Sequence, residues 1–355
     1  MDKFKIDNHK LMFHVSRVND WLNDKNIYPI YMEISPFGAC NHRCVYCGLD
    51  FMNYQSRYLK TPLLKSRLSE LGELGLKSVM YAGEGEPLLH QDLSEIIEHT
   101  RRSGIDVSIT TNGVLLNEEM SERILGEAQW IKISLDATTP ETFSKIHRCH
   151  PDDFNLILKN ISCAVKLKNK HGFSCTLGAQ FLLLPENEHE VIACAKIAKD
   201  IGLDYLVIKP YSQHIQSKTK TYNTIKYENY EYLADELQKF NSGNFSAIFR
   251  IRTMKKWDKK EKLYKRCLAL PFWSYIDAGG SVWGCSVFIN VQRFLYGNIY
   301  EQTFKEIWEG EKRMQSLRWI EEEFDATNCR VNCRMDEINR YLWELENPPQ
   351  HVNFI

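Results

Sequence analysis

Three cysteines lie close together near the start of the chain, and their thiolates could bind one metal centre. Cys40, Cys44 and Cys47 follow the spacing Cys-x3-Cys-x2-Cys, in a short loop after the strand-like run 30–35. An iron–sulfur cluster in a protein is usually held by four cysteines. Three ligands would leave one iron of a four-iron cluster open to a small molecule. A zinc loop or a set of buried thiols is the alternative, although structural zinc prefers four ligands.

The cysteine spacing, with Tyr46 immediately before the last cysteine, resembles that of the radical S-adenosylmethionine (SAM) enzymes. The resemblance implies that Cys40, Cys44 and Cys47 hold a four-iron, four-sulfur (4Fe–4S) cluster whose open iron binds SAM. It also implies a reducing partner, such as flavodoxin or ferredoxin, that supplies the electron for cleavage of SAM to a 5′-deoxyadenosyl radical. Such cofactors carry the chemistry, while the protein binds and orients them.

A second motif, Gly83-Glu84-Gly85-Glu86-Pro87, ends the second strand-like run. Glycine lets the backbone approach a ligand closely, and the carboxylate of Glu86 could accept hydrogen bonds from an ammonium group. Residues 84–87 resemble the Gly-Gly-Glu-Pro motif of the same family, with Glu84 where glycine is usual. The resemblance implies that Glu84, Gly85 and Glu86 contact SAM. An ordinary turn at the end of a strand is the alternative.

Small polar residues end the later strand-like runs, where they could bind a ribose or the polar end of an amino acid. The segments are Thr110-Thr111-Asn112-Gly113 and Ser134-Leu135-Asp136-Ala137. The second resembles the family's fourth-strand motif, which implies that Ser134 and Asp136 lie beside SAM. Asn-Gly is also a turn signal, and Asp136 could cap a helix. Further candidates for SAM binding are Tyr46, Asn112, Gln180 and Lys209, of which the lysine could equally be a solvated charge.

Four cysteines in the C-terminal part form a second candidate metal site. Cys267 and Cys285 flank a turn predicted at 277–280, and Cys329 and Cys333 follow as Cys-x3-Cys. This arrangement resembles the Twitch extension, a shortened SPASM domain, of 2-deoxy-scyllo-inosamine dehydrogenase and related sugar- and cyclitol-modifying enzymes. The resemblance implies a second, auxiliary 4Fe–4S cluster. The usual last pair is Cys-x2-Cys, and a single zinc site made by the same residues is the alternative.

The other four of the eleven cysteines lie outside these two sets. Cys163 and Cys194 fall in helix-like runs and Cys175 starts a strand-like run, which favours core thiols. Cys149 belongs to the polar segment His147-Arg148-Cys149-His150. Some radical SAM epimerases use a thiol as hydrogen donor, so Cys149 is a candidate catalytic residue.

Apolar strand-like runs alternate with amphipathic helix-like runs between residues 30 and 210, which predicts parallel βα units. Right-handed crossovers would curl such units into a partial barrel, whose sites lie at the C-terminal ends of the strands. The family resemblance implies an α/β fold with a partial (β/α)6 TIM-like barrel, although the pattern alone also fits a doubly wound sheet. The predicted strands are 30–35, 78–83, 106–111, 130–135, 175–184 and 205–210, and the predicted helices are 62–74, 93–102, 117–125, 154–168 and 188–201.

The change of composition along the chain divides it into five segments. These are a prelude at 1–27, the barrel at 28–211, a polar helical linker at 212–262, a small α+β Twitch/SPASM-like domain at 263–345, and a tail at 346–355. The net charge of −1 argues against binding to nucleic acid or an anionic membrane. Residues 1–20 contain no apolar stretch long enough for a signal peptide or a membrane span. We therefore expect a cytoplasmic protein, whose cysteines are metal ligands or free thiols.

The sequence as a whole predicts a radical SAM oxidoreductase or epimerase. We expect hydrogen abstraction from a small polar substrate such as a sugar, an aminocyclitol or a nucleoside, followed by dehydrogenation or epimerisation. A peptide-modifying enzyme of the SPASM/Twitch group is the alternative, which is weakened because the first strand begins near residue 30 and leaves little room for a peptide-binding domain. A non-catalytic zinc or iron–sulfur protein is the third possibility.

Overall fold

The computed structural model describes residues 4–354, and its ten strands within that range form one sheet. The strand order is β10-β9-β8-β1-β2-β3-β4-β5-β6-β7. Strands β1 to β7 pair in parallel with their neighbours and β8 is parallel to β1, while β9 and β10 are antiparallel additions at one edge. The strands are β1 (Tyr31–Ile34), β2 (Ser78–Tyr81), β3 (Asp106–Thr111), β4 (Ala128–Ser134), β5 (Thr176–Leu183), β6 (Tyr205–Pro210), β7 (Ser246–Phe249), β8 (Trp273–Ile276), β9 (Ser281–Trp283) and β10 (Leu295–Asn298).

Helices alternate with strands through the barrel and continue into the C-terminal part. No helix within residues 4–354 is long and apolar enough to cross a membrane. The helices are α1 (Val15–Leu22), α2 (Thr61–Glu73), α3 (Leu93–Arg102), α4 (Glu118–Ile124), α5 (Pro140–His147), α6 (Asp152–His171), α7 (Val191–Ile201), α8 (Tyr232–Gln238), α9 (Ile251–Lys259), α10 (Phe304–Glu309), α11 (Glu311–Glu322) and α12 (Asp336–Glu346).

The six predicted strands and five predicted helices are all confirmed, with ends that differ by at most three residues. Helix α5 was not predicted, because it is short and follows the polar end of β4. Its start signals are nevertheless present in the sequence: Thr139 caps the helix by accepting a hydrogen bond from Thr142 N, and Pro140 occupies the first helical position. This helix proves important, because it lies against the first cysteine loop.

The predicted linker 212–262 contains the expected helices, α8 and α9, together with a strand that was not predicted. Strand β7 has only four residues and follows Asn-Ser-Gly-Asn, so its local sequence gives a weak strand signal. It pairs in parallel with β6, from Tyr205 opposite Ser246 to Ile208 opposite Phe249. At the other edge of the barrel, β8 pairs with β1. The C-terminal part therefore continues the barrel sheet, and the domain boundaries given above stay a prediction.

The inner face of the barrel sheet is polar, and we call the space that it encloses the lumen. Side chains on alternate positions of a strand point to the same face, and hydrogen bonds across the inner face join neighbouring strands. Lys209 Nζ donates to Gln180 Oε1 at 2.8 Å, and Gln180 Nε2 donates to Ser134 Oγ at 2.8 Å. On the opposite side Arg334 Nη2 lies 2.8 Å from Glu33 Oε2, and 43 % of the Arg334 side chain is accessible to water, so the lumen is open to solvent.

A second core lies beside the barrel and is built from β8, β9 and the chain that follows. Its members are apolar and include Trp273, Trp283, Phe294 and Cys285. The predicted turn at 277–280 joins β8 to β9, so the expected hairpin is confirmed. This core surrounds the second set of cysteines.

Candidate functional site

The first cysteine loop leaves the C-terminal end of β1 and is held by backbone hydrogen bonds on two sides. Arg43 N donates to His147 O at 2.9 Å, and Val45 N donates to Ile146 O at 2.8 Å, so the loop runs along the end of α5. On its other side Glu86 N donates to Ala39 O at 2.9 Å. The loop is therefore fixed between α5 and the end of β2, at the edge where the parallel strands end.

The structure brings Cys40, Cys44 and Cys47 together. Burial raises the pKa of the Cys40 thiol to about 12, and Glu86 and Cys47 raise it further by repulsion. Burial also raises the pKa of Cys44, with the next contributions from Cys47 and Cys40. Three thiolates that repel one another in a buried place suit a cationic centre, because metal binding stabilises the deprotonated form. The donor set thus fits the cluster implied by the sequence.

Cys44 contacts a buried histidine that sequence reasoning did not select as a site residue. His147 Nδ1 lies 3.3 Å from Cys44 Sγ, and His147 Nε2 lies 3.2 Å from Asp136 Oδ2. Tyr46 donates a hydrogen bond to the same carboxylate oxygen, and Leu182 N donates to Asp136 Oδ1. Asp136 and Tyr46, both predicted to contact SAM, therefore lie together beside the loop, with both Asp136 oxygens bonded to protein groups. Hydrogen bonds around cluster sulfurs help to set reduction potentials.

The carboxylate of Glu86 joins the end of β2 to the end of β3. It accepts hydrogen bonds from Thr111 Oγ1 at 2.6 Å, Asn112 N at 2.8 Å and Leu88 N at 3.1 Å. Asn112 in turn donates to Asn41 Oδ1 at 2.6 Å, within the cysteine loop. Glu86 and Asn112 thus lie beside the loop that carries the proposed cluster ligands. Contact of either residue with SAM stays a prediction.

Glycine is required at position 85 by the cysteine loop itself. A Cβ atom on Gly85 would lie 2.3 Å from the carbonyl oxygens of both Phe37 and Ala39. Glu84, which replaces the usual glycine of the motif, has a buried carboxylate that is 2.9 Å from Arg57 Nη2 and accepts a hydrogen bond from Ala278 N at 2.6 Å. Glu84 therefore links the barrel to the β8–β9 turn, and this link gives it a structural role in the protein.

Replacing Glu84 is expected to weaken the attachment of the C-terminal part. Glu84→Gln keeps the size of the side chain but removes the charge that pairs with Arg57. We expect a loss of about 2 kcal/mol in the free energy of unfolding, because charged hydrogen bonds in buried places contribute roughly that amount. Urea denaturation of the reconstituted protein under anaerobic conditions measures the change. The exposed Glu344→Gln is the control, and equal midpoints for both variants would contradict the prediction.

Glu86 is expected to make stability depend on pH. Burial outweighs its three hydrogen-bond donors and raises its pKa from 4.5 to about 7 in the folded protein. Between these values the folded state keeps a proton that the unfolded state has lost, so this contribution is complete below pH 4.5 and disappears as the pH rises through 7. The melting temperature of the SAM-free protein should therefore fall with rising pH more steeply than that of Glu86→Gln. Parallel profiles would contradict this assignment.

The remaining predicted site residues of the barrel lie in two different places, the lumen and the side of the cysteine loop near α5. Ser134, Gln180 and Lys209 form the hydrogen-bonded row across β4, β5 and β6 that lines the lumen. Lys209 is no ordinary surface charge, since burial lowers its pKa to about 8. Cys149 instead lies beside Asp153 and His42, on the side of the cysteine loop that faces α5 and α6. A role for Cys149 as hydrogen donor stays a prediction.

The four C-terminal cysteines line one pocket of the second core. Burial raises the pKa of the Cys285 thiol, and Cys333, Cys267 and Cys329 raise it further in that order. Several sulfurs accept hydrogen bonds from nearby groups: Cys333 Sγ lies 3.2 Å from Met335 N, and Cys285 Sγ lies 3.4 Å from Val287 N. The Cys-x3-Cys spacing therefore still lets both cysteines of the last pair reach the same pocket.

The separation of the sulfurs favours a cluster over a single zinc ion. Four thiolates around zinc, with Zn–S bonds of about 2.3 Å, would lie about 3.8 Å from one another. Within residues 4–354, the sets of three potential ligand atoms closer than 4.8 Å are His42 with Cys44 and His147, and His42 with Cys149 and Asp153. Neither predicted cysteine set is among them. Any three sulfurs of either set therefore include a pair more than 4.8 Å apart, which is wider than four thiolates around one zinc ion.

Two protein-family profiles match the chain. Residues 34–204 match the radical SAM superfamily, and residues 267–334 match SPASM, an iron–sulfur cluster-binding domain. The first match covers the barrel from the end of β1 to the start of β6. The second extends from Cys267 to Arg334 and so includes all four cysteines of the second core.

Curated relatives and solved structures agree with these matches. The AdoMet-dependent heme synthase of Methanosarcina barkeri is 27 % identical over 302 residues, which cover 80 % of this chain and 83 % of the relative. The GTP 3′,8-cyclase of Chlorobaculum tepidum is 28 % identical over 52 % of this chain and 55 % of its own length. Streptococcus suis SuiB bound to precursor peptide SuiA superposes with a TM-score of 0.66 at 18 % identity, covering 84 % of this chain and 69 % of SuiB. This last likeness concerns the fold.

Proposed function

Because the chain combines a radical SAM domain, which binds a 4Fe–4S cluster and SAM, with a SPASM iron–sulfur domain, we propose that it abstracts a hydrogen atom from a small polar substrate. When bound, the clusters and SAM supply electron transfer and a carbon-centred radical strong enough to break an unactivated C–H bond. The proposed ligands of the first cluster are Cys40, Cys44 and Cys47, and those of the auxiliary cluster are Cys267, Cys285, Cys329 and Cys333.

The observation that carries the proposal is the polar lumen that opens beside the first cysteine loop. The row of Ser134, Gln180 and Lys209 ends at the same edge of the sheet as the loop, and it offers hydroxyl, amide and ammonium groups. Polar groups placed in this way orient a substrate that carries hydroxyls or charges. A sugar, an aminocyclitol or a nucleoside presents such groups.

The outcome of the reaction depends on what happens to the substrate after it loses a hydrogen atom. Loss of one further electron, which the auxiliary cluster would accept, and of a hydroxyl proton gives a carbonyl product, which is a dehydrogenation. Return of a hydrogen atom to the opposite face gives an epimer, and Cys149 is the candidate donor. We propose dehydrogenation, because the auxiliary cysteine set is complete and Cys149 lies on the α5 side of the cysteine loop, beside His42 and Asp153.

The test is substrate-dependent release of 5′-deoxyadenosine. The anaerobically reconstituted protein, SAM and reduced flavodoxin or ferredoxin would be incubated with sugars, aminocyclitols, nucleosides including GTP, and a tetrapyrrole, and the products measured by mass spectrometry. We expect one of the small polar compounds to stimulate release and to lose two hydrogens. A peptide as the only stimulating compound would favour the peptide-modifying alternative, and failure to cleave SAM under any condition would overturn the proposal.

A further inference from the structure

The lumen contains a lysine that has no counter-ion among the residues that the structure describes. Lys132 lies on β4 between Trp130 and Ser134 on the same face of the strand, while Ile131 and Ile133 are buried on the other. Its ammonium group is 5.3 Å from the centroid of the Trp130 ring. It forms no hydrogen bond or ion pair with any residue in the described range 4–354. Its side chain is only partly exposed, so a ligand that supplies the opposite charge would replace the hydration that the ammonium group has lost.

The groups around Lys132 increase the positive charge. Lys209, Arg334 and Arg250 act on it as cations, and Glu33 is the acid that acts in the opposite sense. Arg334 is already paired with Glu33 at 2.8 Å, and Arg250 Nε lies 3.2 Å from Asp7 Oδ1. Arg334 and Arg250 are thus paired with acids, whereas Lys132 and Lys209 form no ion pair within the described residues. Burial lowers the pKa of both lysines. Lys209 lowers the pKa of Lys132 further, and Arg250 lowers that of Lys209, although Asp136 acts on Lys209 in the opposite sense.

Lys209 is stabilised by a neutral partner, which does not remove its charge. Its ammonium group donates to the amide oxygen of Gln180. Asp136 attracts it, but both oxygens of that carboxylate are bonded to Tyr46 and Leu182, as described above. The lumen thus contains a concave surface with two unpaired ammonium groups and one guanidinium group that has a single acidic partner.

The position of Lys132 along β4 separates it from the SAM-binding edge. It precedes Ser134 by two residues, which places it about 7 Å deeper in the barrel than the strand ends. On β6 and β7, Tyr205, Val207 and Ile248 pack against Phe4 and Ile6. A ligand that enters from the strand ends, past the cysteine loop or the polar row, would meet Lys132 with the end that lies deepest.

We propose that Lys132, together with Lys209 and Arg334, binds an oxyanion group of the substrate, a carboxylate or a phosphate, inside the barrel. The inference rests on the proposed function, because it specifies the substrate of that same site. An oxyanion between the two lysines gives each a charge-assisted hydrogen bond. It would hold the substrate by one end and leave its C–H bonds toward the cysteine loop.

The experiment uses the reconstituted holoenzyme and measures binding of defined probes by calorimetry. The probes are pyrophosphate and succinate, with ribose as the neutral comparison. We expect one of the two anions to bind, and Lys132→Met to weaken that binding at least tenfold. Lys132→Arg should restore much of it, because the charge returns, and Lys170→Met, on the exposed end of α6, should have no effect.

Two further measurements separate this inference from the proposed function. Iron content and SAM cleavage without substrate should be the same in Lys132→Met as in the original protein, which also shows that the variant folds. If the variant does not fold, Lys209→Met takes its place in the binding test. The inference would be overturned by equal binding in the variant and the original protein, by no binding of either anion, or by a loss of SAM affinity alone. Failure of SAM cleavage in the original protein would instead overturn the proposed function.

Discussion

Cys44→Ala is expected to abolish SAM cleavage and to remove about four iron atoms per chain. Cys44 lies between Cys40 and Cys47 in the loop, and its half-buried thiol lies 3.3 Å from His147 Nδ1. A cluster left with two cysteine ligands should not survive reconstitution. The loss is measured as 5′-deoxyadenosine release together with iron analysis and the electron paramagnetic resonance signal of the reduced protein.

The matched control for Cys44→Ala is Cys163→Ala. Cys163 is a half-buried thiol on α6, outside both cysteine sets, so its loss should leave iron content and SAM cleavage unchanged. SAM cleavage that survives in Cys44→Ala would show that the first loop does not hold the cluster. The resemblance on which the proposed function depends would then fail for this part of the chain.

Cys285→Ala is expected to keep SAM cleavage but to lose conversion of substrate. The variant should still cleave SAM in the presence of a strong reductant, because the first cysteine loop is intact, but it should lose about four iron atoms and all conversion of substrate. Cys285 is the most buried of the four C-terminal cysteines. Its replacement leaves three thiolates that repel one another in an apolar pocket. We therefore also expect a lower melting temperature.

Metal analysis of the original protein and of Cys285→Ala distinguishes an iron–sulfur cluster from a zinc ion in the second core. The original protein should contain about eight iron atoms, four for each set of cysteines. If the original protein contains zinc, and Cys285→Ala loses that zinc while product formation is unaffected, the metal of the second core is only structural. Iron loss with product formation retained would show that the auxiliary cluster has no part in the reaction.

Patterns that are local in sequence could be read before the structure was known. The alternation of apolar strand-like and amphipathic runs placed six strands and five helices, because burial on one or both faces leaves a period in the sequence. The ends of those strands pointed to Glu86, Asn112 and Ser134, since the C-terminal ends of parallel strands meet at one edge. The spacing of Cys40, Cys44 and Cys47 identified the superfamily that the barrel matches.

Other features depended on contacts between distant parts of the chain. Nothing in the sequence near β7 or β8 shows that they continue the barrel sheet, because strand pairing is decided by backbone hydrogen bonds to residues far away. Arg57 and Glu84 could not be paired in advance for the same reason. The contact of His147 with Cys44 required α5 to lie along the cysteine loop.

The sequence by itself thus determined the fold class and the kind of cofactor. These follow from residue type, spacing and periodicity, which are properties of short segments. The tertiary structure decided which charges are left without partners. The alternation along β4 places Lys132 on the lumen face. Its lack of a counter-ion among the described residues depends on the pairing of Glu33 with Arg334 and of Asp7 with Arg250. Charge compensation is a property of the folded neighbourhood, and sequence order does not reveal it.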